Sequence, residues 1–355
     1  MEQLKKDVYS EENPVAKLET KYALTKVSST GNTTTLMGNY PLESFRENAR
    51  GTYGGELIAQ GINAAWETVP HDNFHPHSLH CYFVKPGSTQ SPIRWEVVHI
   101  SDSRNFANRM LMGYQSHTNK LIFTLQCSFA KDNDQAKRDL EYKESKAAGE
   151  PVKSIPFTFK KSPNERFFQM KEKLHDMEDM IYFEHTNENL AHAVPKEFFR
   201  PSKHIDLNSV GNKEFGLFVK VLDNYKLGKD YAHQSHLGLA FASDSLWLAT
   251  IIKAIGLPLT ADEADFFRVS LDHSLYFHDF DFDSSDWIFL DYRFVNMGNN
   301  RILTVINFFS IDGKPIATAV QEAYGFLPER MINASKELHD KFIRAEQSSR
   351  LDAKL

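Results

Sequence analysis

Cysteine is almost absent from this 355-residue chain: only Cys81 and Cys127 occur. Two thiols make no disulfide framework, and their scarcity fits a reducing compartment. Basic excess is also missing. The 41 Lys and Arg stand against 47 Asp and Glu, for a net charge of −6, which argues against nucleic acid as a partner. No apolar run approaches the ~18 residues of a membrane span. The opening Met1-Glu2-Gln3-Leu4-Lys5-Lys6 lacks the apolar segment of a secretory signal, so a non-secreted chain is expected. There is no Gly-Xaa-Ser-Xaa-Gly elbow, which removes support for a serine hydrolase of that class, and no Walker-type phosphate loop. Four histidines crowd one stretch, His71, His75, His77 and His80, beside Cys81. Their spacing is not that of a zinc site; histidines bonding at a sheet edge is the reading expected. No metal and no cofactor is called for.

What is present is an ordinary globular composition, 41% hydrophobic and 25% charged. The length suits two domains or one large one with a sizeable core. The 27 Phe and 13 Tyr suit apolar strands and an apolar ligand.

Residues 21–40 alternate, with a hairpin turn at Gly31-Asn32. A helix follows Gly54 and Gly55 to about Val69, with Leu57, Ile58, Ile62, Ala65, Trp66 and Val69 on one face. Four strands come next, near 78–84, 93–100, 107–115 and 121–130. One helix followed by four strands is an α+β pattern with an antiparallel sheet. Residues 131–155 form a polar, charge-mixed linker. An amphipathic helix is expected over 163–183, and a strand over 215–222. A largely apolar helix is expected from Ser243 to Ile255, with Ser243 and Asp244 as its capping residues and Gly256 and Pro258 as its stop.

The pattern repeats. His77-Ser78-Leu79 recurs as His273-Ser274-Leu275, and the run ending at Gln126 recurs as the run ending at Gln321. The separations are 49 and 48 residues. The expected organisation is therefore a first helix-plus-sheet unit over 1–130 and a linker or insertion carrying a helix over 131–198. A second unit covers 199–330, and a C-terminal helix with a tail covers 331–355. Divergence between the copies marks candidate chemistry. The second copy has Asp244 at its expected helix start, where the first has Gly54, Gly55 and Glu56. It also has Ser270 where the first has Phe74, while glutamine stands in both as Gln126 and Gln321. Acid, hydroxyl and amide together can hold and orient a water. The same residues can equally be a cap, a strand hydroxyl and a buried amide paired with backbone. Gly54-Gly55 can offer N–H groups to a carbonyl oxygen or phosphate, or make a tight turn.

Three stretches of the first half carry a resemblance: Tyr53-Gly54-Gly55-Glu56-Leu57-Ile58-Ala59-Gln60, His77 to Gly87, and Arg104-Asn105-Phe106-Ala107-Asn108-Arg109. In the second half they are Ala242-Ser243-Asp244, Leu271 to His278, and Ala319-Val320-Gln321-Glu322. Here the chain resembles the type II acyl-CoA thioesterases, a double-hotdog family with peroxisomal members. The resemblance implies two hotdog repeats, each a long helix wrapped by an antiparallel sheet, forming one continuous sheet. It implies hydrolysis of fatty acyl-CoA to free acid and CoA by a water activated at Asp244, Ser270 and Gln321. Gly54, Gly55, Arg104 and Arg109 are then substrate-binding candidates, and a homo-oligomer is expected. Ala353-Lys354-Leu355 becomes a small–basic–leucine address for the peroxisomal import receptor, and the peroxisomal matrix the location. Glu56 departs from the glutamine common in the family, Ser270 stands where others have threonine, and 131–215 matches poorly. Two other classes compete. An enoyl-thioester hydratase needs an Asp-Xaa-Asn-Pro-Xaa-His run, which is absent. A non-catalytic acyl-CoA-binding hotdog protein would not need all three polar residues.

Overall fold

The computed structural model describes residues 17–45, 51–70, 73–152, 155, 160–184, 189–199, 214–228, 230–254 and 267–352. The tail Ala353-Lys354-Leu355 and the expected helix stop at Gly256 and Pro258 lie outside these residues. The first half has a short helix α1 (Lys17–Lys21), a hairpin of β1 (Leu24–Thr30) and β2 (Thr33–Gly38), and the core helix α2 (Gly54–Trp66). Strands β3 (Phe74–Phe83), β4 (Ile93–Asp102), β5 (Phe106–Gln115) and β6 (Lys120–Lys131) follow. The middle tract holds α3 (Gln135–Ala147), α4 (Glu165–Phe168), β7 (Met180–Glu184), β8 (Leu190–Pro195) and β9 (Glu214–Val221). The second half has the core helix α5 (Tyr231–Ser243), α6 (Trp247–Ala254), β10 (Arg268–Phe277), β11 (Ile288–Gly298), β12 (Arg301–Ser310), β13 (Pro315–Gly325) and α7 (Glu329–Asp352).

All thirteen strands lie in one sheet, in the order β1-β2-β4-β5-β6-β3-β10-β13-β12-β11-β9-β8-β7. Its seam is the β3–β10 pair, antiparallel, with Leu79 directly opposite Leu275. These two leucines are repeat mates, so each copy pairs with the other through the same residue, as a two-fold interface requires. A pseudo-dyad therefore passes between them; outward from it the six strands on the β3 side answer the first six on the β10 side, and β7 is an extra edge strand.

The two core helices have 13 residues each and lie against this sheet. Almost every face is apolar, because each helix touches both the sheet and its partner. Residues 55–65 of α2 and 234–243 of α5 are buried, and each fully buried Leu, Ile or Phe contributes roughly 1.5–3 kcal/mol. The helices run antiparallel. At one end Tyr53 donates its hydroxyl to the Phe241 carbonyl at 2.8 Å; at the other the rings of Trp66 and His233 meet at 4.4 Å. Closeness at the first end depends on glycine, since a Cβ on Gly55 would fall 2.2 Å from the Phe241 oxygen.

Several expectations need correcting. The second core helix does not begin at Ser243; it ends there, and Asp244 follows its last turn. Its true cap is Asp230, whose side chain accepts from the His233 N–H at 3.0 Å. The break has a local cause. Ser243 turns its hydroxyl back onto the Ala240 carbonyl at 2.8 Å, competing with the helical ladder, and Leu246 then takes a left-handed φ of 58° before α6. Tyr231–Ala254, at 24 residues, is also long and apolar enough to match a membrane span. Burial of 83% of its apolar window marks it instead as core, so the apolar stretch is longer than expected. The helix expected over 163–183 is only α4 and a short 3-10 turn to Lys173. Beyond it, β7 and β8 extend the second half of the sheet, so 180–195 is sheet rather than linker. Helix α3 has no buried residue and fits the solvated tract expected there.

Candidate active site

Where α5 ends, the N-terminus of α2 arrives from the other half, and Asp244 lies between them. Its Oδ1 accepts from the amide Nε2 of Gln321 at 2.8 Å and from the indole N–H of Trp247 at 3.1 Å. The backbone N–H of Gly55 donates to the same carboxylate. A Cβ on Gly54 would sit 2.4 Å from Asp244 Oδ2, so the glycine pair is what lets a helix N-terminus approach the acid. Asp244 thus sits at the positive end of a helix dipole, that of α2 in the first copy rather than of a helix it begins. Burial raises the Asp244 carboxyl to about 7, opposed by the donated hydrogen bonds of Gln321, Trp247 and Gly55. A carboxylate poised near neutrality suits general-base work.

The flanking residues are pinned as well. Ser243 Oγ lies 3.2 Å from His273 Nε2, and Ser245 Oγ lies 3.1 Å from His192 Nε2. Tyr292 donates its hydroxyl to the Ser245 carbonyl at 3.1 Å. His273 also meets Gln321, its cross-strand partner on β13, through Nδ1. Both residues are fully buried, and burial holds the His273 ring neutral, down to about 3. Among the described residues, the buried Gln321 Oε1 has no hydrogen-bond partner.

Ser270 stands apart. A bulge between Ser270 and Asp272 places Ser270 opposite Ala323, which shares a strand face with Gln321. The bulge thereby turns the hydroxyl toward the Gln321 side, but among the described residues it makes no hydrogen bond to Asp244 or Gln321. Gln126 is not the structural mate of Gln321. It opposes His80 on β3 and is exposed, whereas Gln321 opposes His273 and is buried. Pairing outward from the dyad gives Phe129 as the mate of Gln321, and helix position gives the exposed Glu67 as the mate of Asp244.

The two arginines divide. Arg104 is exposed on the β4–β5 hairpin. Phe83, beside Gly54, pairs with Phe123 on β6, while Phe106 pairs with Ala130, so the hairpin lies roughly 23 Å from the acid along the strands. Arg109 is fully buried. Its guanidinium donates to Thr68 Oγ1 and the Thr68 carbonyl at 2.8 Å each, to Asp102 at 2.8 Å, and to the carbonyls of Ser101 and Asn108. All five donors are spent within the chain, so Arg109 is a structural cation and not a substrate contact. Glu56, the departure from glutamine, is explained by Lys21. That lysine is fully buried, pairs with Glu56, and lies 2.7 Å from Glu43. Burial still lifts Glu56 to about 7.

Two surface hollows lie elsewhere. One of about 400 Å³ is lined by Lys17, Lys220 and Asp223, and one of about 290 Å³ by Lys26, Thr34 and His99. Neither includes Asp244. Sequence reasoning missed Trp247 as a donor to the acid, and Ser243 and His273 as the contacts behind Gln321. The signal for His273 was present in the repeated His-Ser-Leu, but it read as a sheet-edge histidine.

Residues 44–130 match the acyl-CoA thioesterase N-terminal domain, and residues 182–324 the acyl-CoA thioesterase C-terminal domain. Peroxisomal acyl-coenzyme A thioester hydrolase 1 of Saccharomyces cerevisiae is 26% identical over 314 residues, covering 78% of this chain and 86% of its own. Acyl-coenzyme A thioesterase 8 of Homo sapiens is 26% identical over 291 residues, covering 77% and 80%. A solved acyl-CoA thioesterase II from Mycobacterium marinum shares the fold with a TM-score of 0.59 at 20% identity, over 88% of this chain and 97% of its own. With both domain descriptions matched in order, and taking in well over half of its length, the chain belongs to the acyl-CoA thioesterase family, hydrolases built as two hotdog units in one sheet.

Proposed function

We propose that Asp244 is the general base of the hydrolysis, with Gln321 and Ser270 orienting the attacking water. The observation that carries this is the buried carboxylate, held near neutral acidity between two helix ends and hydrogen-bonded to Gln321. Asp244 takes a proton as the water oxygen bonds to the thioester carbonyl carbon. The tetrahedral oxyanion then collapses, the carbon–sulfur bond breaks, and the proton leaves with CoA as its thiol. Water supplies the new acid oxygen, so no acyl-enzyme forms. The Gly55 N–H is already committed to Asp244, so it steadies the base rather than the oxyanion. Gly54 contributes by leaving room for the acid, and Arg104, being exposed, is available to the polar part of CoA.

The substrate class proposed is fatty acyl-CoA, and the location the peroxisome. Support for the location is the name of the yeast relative. The test is free-thiol release from saturated acyl-CoAs, short to long, by wild type and Asp244→Ala. Turnover that collapses in the folded variant supports the reading. Equal turnover in both removes Asp244 from the mechanism. Binding without turnover in wild type moves the function to acyl-CoA binding, and water addition to an enoyl-CoA without thiol release moves it to a hydratase.

A further inference from the structure

We propose that His273 is a positioning residue for the hydrolysis: its Nδ1 lone pair fixes the Gln321 amide so that Nε2 serves Asp244 and Oε1 accepts from the attacking water. This rests on the reading of Asp244 and Gln321 given above.

Only one arrangement of protons satisfies every contact. Gln321 Nε2 lies 2.8 Å from Asp244 Oδ1 and within hydrogen-bond distance of His273 Nδ1. An ionised carboxylate can only accept, so the amide atom facing it is nitrogen, and its two hydrogens go to Asp244 and His273. His273 must then carry its proton on Nε2, which faces Ser243 Oγ at 3.2 Å. Ser243 donates its own O–H to the Ala240 carbonyl at 2.8 Å. Turned the other way, Oε1 would face the ionised carboxylate whichever ring nitrogen of His273 carries the proton, a repulsive contact in a dry interior. In the satisfied arrangement Oε1 is an acceptor left unspent among the described residues. A water giving one proton to Asp244 has a second hydrogen to place, and Oε1 is the acceptor for it.

The device depends on a neutral ring, and complete burial keeps it neutral through the working range. A protonated ring would present N–H at Nδ1 and turn the amide round. The other titratable groups facing the acid are Tyr53, beside Glu56 at the start of α2, Cys81 on β3 and Tyr292 on β11. Their own hydrogen bonds go to the carbonyls of Phe241, His273 and Ser245, not to the Gln321 amide. The pseudo-dyad gives a control within the molecule. His77, the mate of His273, falls in a bulge of β3 and bonds Ser128 at 2.8 Å instead.

The experiment compares wild type, His273→Phe, His273→Asn and Asp244→Asn for thiol release across substrate concentration and pH. His273→Phe keeps the volume and loses the acceptor; His273→Asn can place Oδ1 where Nδ1 was. The phenylalanine variant is expected to lower kcat about 10- to 100-fold at unchanged KM, to move the acid limb to higher pH, and to be largely rescued by asparagine. Wild-type kcat and acid limb in His273→Phe would overturn the proposal, as would an asparagine variant no better than phenylalanine. If Asp244→Asn keeps full turnover, the underlying reading fails instead. Independently of turnover and of how the variants fold, nitrogen-15 histidine spectra of wild type read the tautomer. A proton on Nε2 and none on Nδ1 from pH 5 to 8 supports the proposal, and a proton on Nδ1 overturns it.

Discussion

Asp244 is held where a charge is costly. Its carboxyl is buried, with three donors around it, and its acidity rises from 3.8 to about 7 because desolvation outweighs those donors. Over that interval the folded protein retains a proton that the unfolded chain has lost. The resulting stability is fully present below about pH 4 and is lost as pH rises through 7. Asp244→Asn is therefore expected to abolish thiol release, by a factor of about a thousand or more. The same substitution should raise the melting temperature at pH 8 by a few degrees and change it little at pH 4. Calorimetry at the two pH values checks this. Arg109 should behave oppositely. With all five donors spent internally, Arg109→Ala is expected to cost about 2–4 kcal/mol in urea unfolding and to leave KM unchanged at a permissive temperature. Arg109 read as a substrate contact because an arginine in a motif shows its charge in the sequence but not the carbonyls that consume it.

At the scale of elements, the site is a junction of helix ends. Gly54 and Gly55 let the start of α2 meet the end of α5, and a Cβ on Gly54 would strike both Asp244 and the Phe83 ring, the latter at 2.8 Å. Gly54→Ala is expected to reduce kcat at least about 10-fold with a smaller effect on melting. Gly55→Ala, aimed at a backbone oxygen, should mainly destabilise, by about 1–3 kcal/mol. Parallel kinetics and unfolding of the two variants check the contrast. The sequence carried the strands near 93–131 almost to the residue, because apolar alternation marks them. It misplaced the second core helix, because α5 and α6 are apolar on both sides of Asp244. Only the Ser243 back-bond and the left-handed Leu246 break the run, and neither is visible in periodicity. Asp244 and Gln321 were legible as candidates. Their direct hydrogen bond was not, since it depends on a register that sets Gln321 opposite His273.

At the scale of the molecule, the pseudo-dyad at Leu79 and Leu275 creates two poles, and a hydrogen-bonded acid–amide pair stands at one. At the other, Glu67 is exposed and Phe129 stands at the glutamine position. The rings of Trp66, His75, His233 and His236 pack there, with His75 and His236 stacked at 5.4 Å. Glu67→Ala and Phe129→Leu are accordingly expected to leave kcat within about two-fold, measured by thiol release at a temperature where both variants are folded. The repeat itself was legible from His-Ser-Leu and its spacing. The inequality of the poles was only partly so, because Gln126 and Gln321 align by sequence but lie on opposite faces of the sheet.

The most direct measurement is kcat for thiol release from pH 5 to 9, for wild type and for Asp244→Asn shown to be folded. Hydrolysis through Asp244 predicts a wild-type rate that rises with a midpoint near 7 and a variant that is inactive throughout. A wild-type rate already at its plateau at pH 5, or a variant with wild-type turnover, would contradict it.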